Sequence, residues 1–301
     1  MKPSRFPKIG GGVVVGPLRV PRSRINGNRR PARLLYFTRS AGYVHSVIHR
    51  NGSGLAYSEA ILTELGRQCG VEVIATKDGR VFDGDLGSYD AIAFYTLGDL
   101  IRESGEPTPP MSPQGKQRLL AAIAAGKGFL GFHSASDTFL SREEQIDPYI
   151  AMVGGEFVTH DQSQQATLKV VSPDFPGAAE LGGSLTMYEE WYALKNFGTD
   201  LHVILVQHTP GMIGGCYRRP PFPVTWARMH GKGRVFYTSL GHGEHVWTHR
   251  GFQQLALGAL AWVLGRVDAD VTPNIHRVTP DADQWPREHC SAHLLMPAGT
   301  S

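Results

Sequence analysis

Cysteine is scarce in this sequence: Cys69, Cys216 and Cys290 are the only three in 301 residues, and none sits in a CxxC pair. Their wide spacing and odd number exclude a full disulfide framework and argue against structural zinc and thioredoxin chemistry. Long hydrophobic runs are missing too. Ile9–Val15 is short, glycine-rich and followed by Pro17, with no small-residue cleavage site. Neither a membrane span nor a signal peptide is expected, and a cytoplasmic location is the default. Charge is sparse, with a net value of +3, so nucleic acid is not an expected partner. Two motifs fail on inspection. Lys127 and Lys232 lie in GKG triplets without GxxxxGK[ST], and those glycines read as a helix stop and a hairpin turn. Gly10-Gly11-Gly12 has no strand before it and no helix after it, so it is no dinucleotide fingerprint.

What is present suits a soluble α/β protein. Hydrophobic residues make up 41% of the chain, enough for a sizeable core. Residues 1–32 gather eight basic residues among prolines and glycines, with a ninth, Arg33, at the border, and read as a flexible tail. Residues 33–266 read as one domain, and 267–301 as a C-terminal extension with little periodicity. Within the domain, strands are expected at Leu34–Thr38, Val71–Thr76, Ala91–Thr96 and Phe129–His133, with helices near 55–69 and over Pro113–Ala125. This alternation predicts a mainly parallel, doubly wound sheet. Further strands at Gln165–Val171, Leu201–Gln207, Pro223–Met229 and Arg234–Leu240, one with polar–apolar alternation, predict an antiparallel extension before a closing helix at Phe252–Leu264.

The stretch Gly128–Phe139, GFLGFHSASDTF, runs from unbroken apolar residues into a His, small residues and an acid. A buried central strand ending at a functional edge reads this way, because open α/β sheets bind ligands outside the carboxyl ends of their strands. Parallel strands put His45, His133 and His242 on one such edge despite their distance in sequence. Imidazoles transfer protons near neutral pH and also bind metals, so these three are the catalytic candidates and, for a divalent ion, the ligand candidates. Tyr43, Ser134, Asp137, His160, Glu190, Trp191 and Tyr192 are candidates for substrate binding, the aromatics by stacking on a sugar and the acids by holding hydroxyls or orienting a His. His133 also reads as a capping residue at a strand–helix junction, and His230 as a solvated turn residue.

Several motifs carry a family resemblance: FLGFHSAS at Phe129–Ser136, GGEFVTH at Gly154–His160, EEWY at Glu189–Tyr192 and PVTWARMHGKGRVFYTSLGH at Pro223–His242. With GYVHS at Gly42–Ser46 and GFQQLALGALAW at Gly251–Trp262, the chain resembles the ThuA-like (trehalose utilisation) family over residues 33–266. The resemblance implies a flavodoxin-like fold similar to class I glutamine amidotransferases. Those enzymes place a nucleophilic Cys in GxCxG at a strand-to-helix elbow, whereas Gly131-Phe132-His133-Ser134-Ala135 has none. Glutamine hydrolysis through a thioester is therefore not expected, and no GxSxG elbow replaces it. The family's association with disaccharides and their 3-keto derivatives implies a carbohydrate-catabolic enzyme using His-based acid/base or metal-assisted chemistry. A non-catalytic carbohydrate- or protein-binding module on the same scaffold is the alternative, and a homo-oligomer fits either reading.

Overall fold

The computed structural model describes residues 30–142 and 144–285. The basic tail at 1–29 and residues 286–301, with Cys290, lie outside the described residues. The chain enters through β1 (Ala32–Phe37) and passes into α1 (Tyr57–Gln68). That helix starts where Glu59 accepts the Ala56 backbone N–H at 2.8 Å while Arg50 holds both its carboxylate oxygens. Gly70, at φ +66°, supplies the left-handed turn into β2 (Val71–Thr76). After β3 (Ala91–Phe94), α2 (Pro113–Ala124) opens with Pro113 at its first position and the Ser112 hydroxyl accepting from Gly115 N–H at 2.9 Å. Every residue of β4 (Gly128–Phe132) is buried, as its apolar run requires. The first four strands lie close to their expected spans.

The second half is richer than its sequence pattern. Alongside the expected strands are α3 (Pro148–Val153), β5 (Glu156–Thr159), β7 (Ser184–Glu189) and β8 (Ala193–Lys195). The expected ones are β6 (Gln164–Val170), β9 (His202–His208), β10 (Phe222–His230) and β11 (Gly233–Thr238). The chain then forms α4 (Glu244–Thr248), the almost wholly buried α5 (Arg250–Val263) and α6 (Ile275–Val278).

The main sheet has nine strands in the order β2-β1-β3-β4-β11-β10-β9-β6-β7, and β5 pairs with β8 in a separate ribbon. β2, β1, β3, β4 and β11 are mutually parallel. Taking β11 as the fifth strand, this is the flavodoxin order, whose strand sequence reverses at β1 and β3. The remaining pairings are antiparallel, so four reversals return β7 to the direction of β11. The carboxyl ends of β1, β4, β11 and β7 therefore all point the same way. Part of the C-terminal extension runs back across β9, where the Asn274 side-chain carbonyl accepts from Val203 N–H at 2.7 Å. No helix among the described residues is long and apolar enough to cross a membrane.

The seam between α5 and the 176–177 loop is close enough to test this packing. A Cβ on Gly258 meets the Pro176 carbonyl and the Gly177 nitrogen, which are backbone and cannot swing away. Gly258→Ala is expected to cost about 1–3 kcal/mol of overpacking. That corresponds to a Tm roughly 2–4 °C lower per kcal/mol in thermal unfolding. An unchanged Tm would contradict this contact.

Candidate functional site

Each strand end delivers one component to the shared edge. The loop after β1 carries His45, whose imidazole is buried, with exposed Tyr43 set edge-on to its ring at 5.0 Å. β4 ends in a single 3-10 turn, His133–Asp137, and His133 opens it at φ +43°. A left-handed His is uncommon and costs backbone energy. Tyr237 O–H donates to the His133 carbonyl at 2.8 Å, holding the turn. Past β11, the loop of His242 is pinned by Glu189, whose Oε2 accepts from the Gly241 and His242 backbone N–H groups at 3.0 and 3.3 Å. Glu189 is the last residue of β7, so the alternation of that strand points it inward and places Glu190 immediately after it.

The four side chains converge on one point. Glu190 Oε2 lies 3.2 Å from His242 Nδ1, 3.4 Å from His133 Nε2 and 4.0 Å from His45 Nε2. His242 Nδ1 and His133 Nε2 are 3.4 Å apart. One nitrogen or oxygen from each of the four residues falls within 4.8 Å of the others, so this set could hold a metal ion. His133 Nδ1 sits 2.7 Å from the Ser239 carbonyl oxygen, which only accepts, so that nitrogen carries the proton and Nε2 faces the cluster. Burial pushes His45 down to about 2, helped by the neighbouring His133 and His242 rings. Burial also works against a charged His242, but its contact with Glu190 reverses that and leaves its pKa raised. Burial disfavours the Glu190 carboxylate, yet His133 and His242 beside it hold it well below the usual carboxylate range.

The remaining sequence candidates fall into three groups. His160 joins the rim, half exposed, with Nδ1 3.5 Å from Glu190 Oε1 and 3.0 Å from the Asp161 carbonyl. Asp137 lies near the cluster: burial, then the Glu156 and Glu190 carboxylates, push its carboxyl up to about 7. Three residues differ from the expectation of an accessible binding surface. Trp191 is buried, its indole N–H turned onto the Gln164 carbonyl at 2.8 Å, so it packs the core and offers no sugar face. Tyr192 is buried between His133 and Phe157, with ring centroids 4.1 and 4.2 Å away, so it forms a wall of the cluster. Ser134 is fully buried and its hydroxyl has no partner. The reason is shared: the turn after β4 and the segment after β7 are folded under the edge.

Sequence reasoning missed the supports. Glu189 is legible only as half of an acidic pair, and its task follows from β7 alternation. Tyr95, whose hydroxyl donates to the Gly241 carbonyl at 3.2 Å, is legible only as the end of an apolar strand. The Ser239 contact is a backbone carbonyl and leaves no mark in side-chain identity. Cys216 is not one of the converging side chains: its Sγ lies 3.1 Å from Asp161 Oδ2, and burial with that carboxylate pushes its thiol up to about 12.

Asp137 gives a pH signature. Between its ordinary value of 3.8 and about 7 the folded chain keeps a proton that the unfolded chain has released. Its contribution to stability is thus present at low pH and is lost as the pH rises through about 7. Asp137→Asn is expected to raise Tm at pH 8 by at least roughly 2–4 °C and to leave it nearly unchanged at about pH 3.5. Equal shifts at both pH values, in calorimetry, would refute the raised carboxyl.

Comparison with known proteins adds the family. Residues 33–263 match the family model ThuA, described as trehalose utilisation. A ThuA-like protein from Bacteroides uniformis has a similar fold, with TM-score 0.56 and 18% identity over 80% of this chain and 94% of that one. One from Parabacteroides merdae gives TM-score 0.55 and 17% identity over 81% and 95% of the two chains. No curated protein matches the sequence. With most of its length covered by that one model, the chain belongs to the ThuA (trehalose utilisation) family.

Proposed function

We propose that this chain is a carbohydrate-catabolic enzyme of the cytoplasm, acting on a keto-sugar or glycoside such as a 3-keto derivative of trehalose. The observation that carries this reading is the meeting of His45, His133, His242 and Glu190 at the carboxyl edge of the sheet, beside exposed Tyr43. The family's trehalose-utilisation description supports a sugar substrate, and the free thiols of Cys69 and Cys216 support a reducing compartment. The β4 turn His133–Asp137 carries no cysteine and Cys216 is held by Asp161, which argues against a glutamine amidotransferase.

The chemistry follows from the substrate class. In a 3-keto-glycoside the proton on C2 is acidified by the adjacent carbonyl, and the glycosidic oxygen leaves from C1. Loss of the C2 proton gives an enolate. Its collapse expels the glycosidic oxygen, which takes up a proton, while reprotonation at a neighbouring carbon gives isomerisation instead. Such a site needs a base of near-neutral basicity, positive charge at the keto oxygen and a proton donor. Asp137, with its pKa near 7, has the basicity for the first role. The cluster is suited to polarise the carbonyl, and half-exposed His160, against Glu190 at the rim, is the group placed to donate.

Incubating the purified chain with 3-ketotrehalose, other 3-keto-glycosides and their unoxidised parents, followed by NMR and mass spectrometry, tests this reading. Turnover of a keto-sugar is expected. His133→Ala should abolish it, and Asp137→Asn should lower kcat about 10²–10⁴-fold, the usual worth of a positioned acid or base. Binding of these sugars without turnover, with and without added divalent metal, would favour the binding module and sink the enzyme.

A further inference from the structure

We propose that His45, His133, His242 and Glu190 form a mononuclear centre for a divalent transition-metal ion, with three imidazole nitrogens and one carboxylate oxygen as ligands. The proposal uses the same side chains as the enzymatic reading but does not depend on any sugar being the substrate.

The protons argue for it first. With His133 Nδ1–H committed to the Ser239 carbonyl, Nε2 is the ring nitrogen turned to the cluster. It faces Glu190 Oε2, an acceptor, and His242 Nδ1. His45 Nε2 lies in the same group, on a buried ring. Acceptors gathered this closely require either a proton or a cation between them.

The spacing separates those two sources. Charge-assisted N–H···O bonds contract to about 2.7–2.9 Å. The contacts to Glu190 Oε2 are instead 3.2 and 3.4 Å, and the His133–His242 contact is 3.4 Å. Ligands at about 2.0–2.2 Å from a tetrahedral ion stand about 3.3–3.6 Å from one another, so these three atoms already form one face of such a site. His45, at 4.0 Å from Glu190 Oε2, is the looser fourth donor, and its Nδ1 has no hydrogen-bond partner to fix the ring. His133, in contrast, has the carbonyl brace typical of a metal-bound imidazole, and His160 touches the other oxygen of Glu190.

The donor set selects the metal class. Three imidazoles and a carboxylate suit Zn²⁺, Co²⁺, Fe²⁺, Ni²⁺ or Mn²⁺, while Mg²⁺ and Ca²⁺ prefer all-oxygen sites and soft Cu⁺ prefers sulfur. When bound, such an ion supplies Lewis acidity toward a carbonyl oxygen.

The test is metal analysis of the full chain. Protein stripped with a chelator is titrated with Zn²⁺ and Co²⁺ by calorimetry and by cobalt absorption, and the bound metal is counted by mass spectrometry. One ion per chain is expected. Glu190→Gln and His133→Ala should weaken binding at least 100-fold, and His45→Ala should weaken it less. His160→Ala should cost about 10–100-fold, as outer supports of metal ligands do. Cys69→Ser, a control at the C-terminal end of α1, should change nothing. Circular dichroism and Tm of the metal-free proteins show whether each variant folds. No stoichiometric binding by the folded wild type would overturn the proposal. So would binding that survives in both folded Glu190→Gln and folded His133→Ala. Metal binding without sugar turnover would leave this centre standing while removing the sugar reading, and the converse result would do the opposite.

Discussion

Glu190 Oε2, within 3.2 to 4.0 Å of three imidazole nitrogens, is the atom around which the carboxyl edge of the sheet is organised. A carboxylate taken from water costs free energy that its neighbours must offset. Glu190 is met by His133 and His242 on one side and by His160 on the other. The same carboxylate reverses the effect of burial on His242 and helps raise Asp137. Its neighbour Glu189 fixes the loop that carries His242. Two consecutive acids at the end of β7 thus act at different levels, one on the backbone and one on the histidine cluster.

The sheet makes this arrangement possible. His45, His133 and His242 leave three strands that run the same way, and the antiparallel extension turns four times before β7 brings Glu190 to that edge. The extension is therefore part of the site and not an appendage to it. At the turn after β4 the scaffold of amidotransferases would carry a thiol. His133 takes the backbone position there, with φ of +43°, and presents an imidazole nitrogen instead.

Much of this was legible in the sequence because strand ends are legible. The apolar run from Gly128 to Phe132 and the His that follows it marked both the central strand and the site. His45 and His242 could be joined to it through topology alone. The aromatic readings failed at Trp191 and Tyr192, because a Trp or Tyr next to acids looks the same whether it faces a sugar or the core. Burial decides between those readings, and burial depends on how the segment after β7 folds under the edge. β5 and β8, four and three residues long, are too short for periodicity to announce. β7 does alternate, yet an outward Tyr188 and an inward Glu189 invert the pattern at its end. The Ser239 carbonyl and the left-handed turn at His133 are backbone properties, invisible to any reading of side chains.

The most direct test of the central claim is an anomalous difference map from crystals of the full chain grown with Zn²⁺ and recorded at the zinc absorption edge. The account predicts one strong peak about 2.0–2.2 Å from His133 Nε2, His242 Nδ1 and Glu190 Oε2, with His45 Nε2 as the fourth neighbour. No peak at this cluster, with the imidazoles and Glu190 drawn into direct hydrogen bonds, would contradict it.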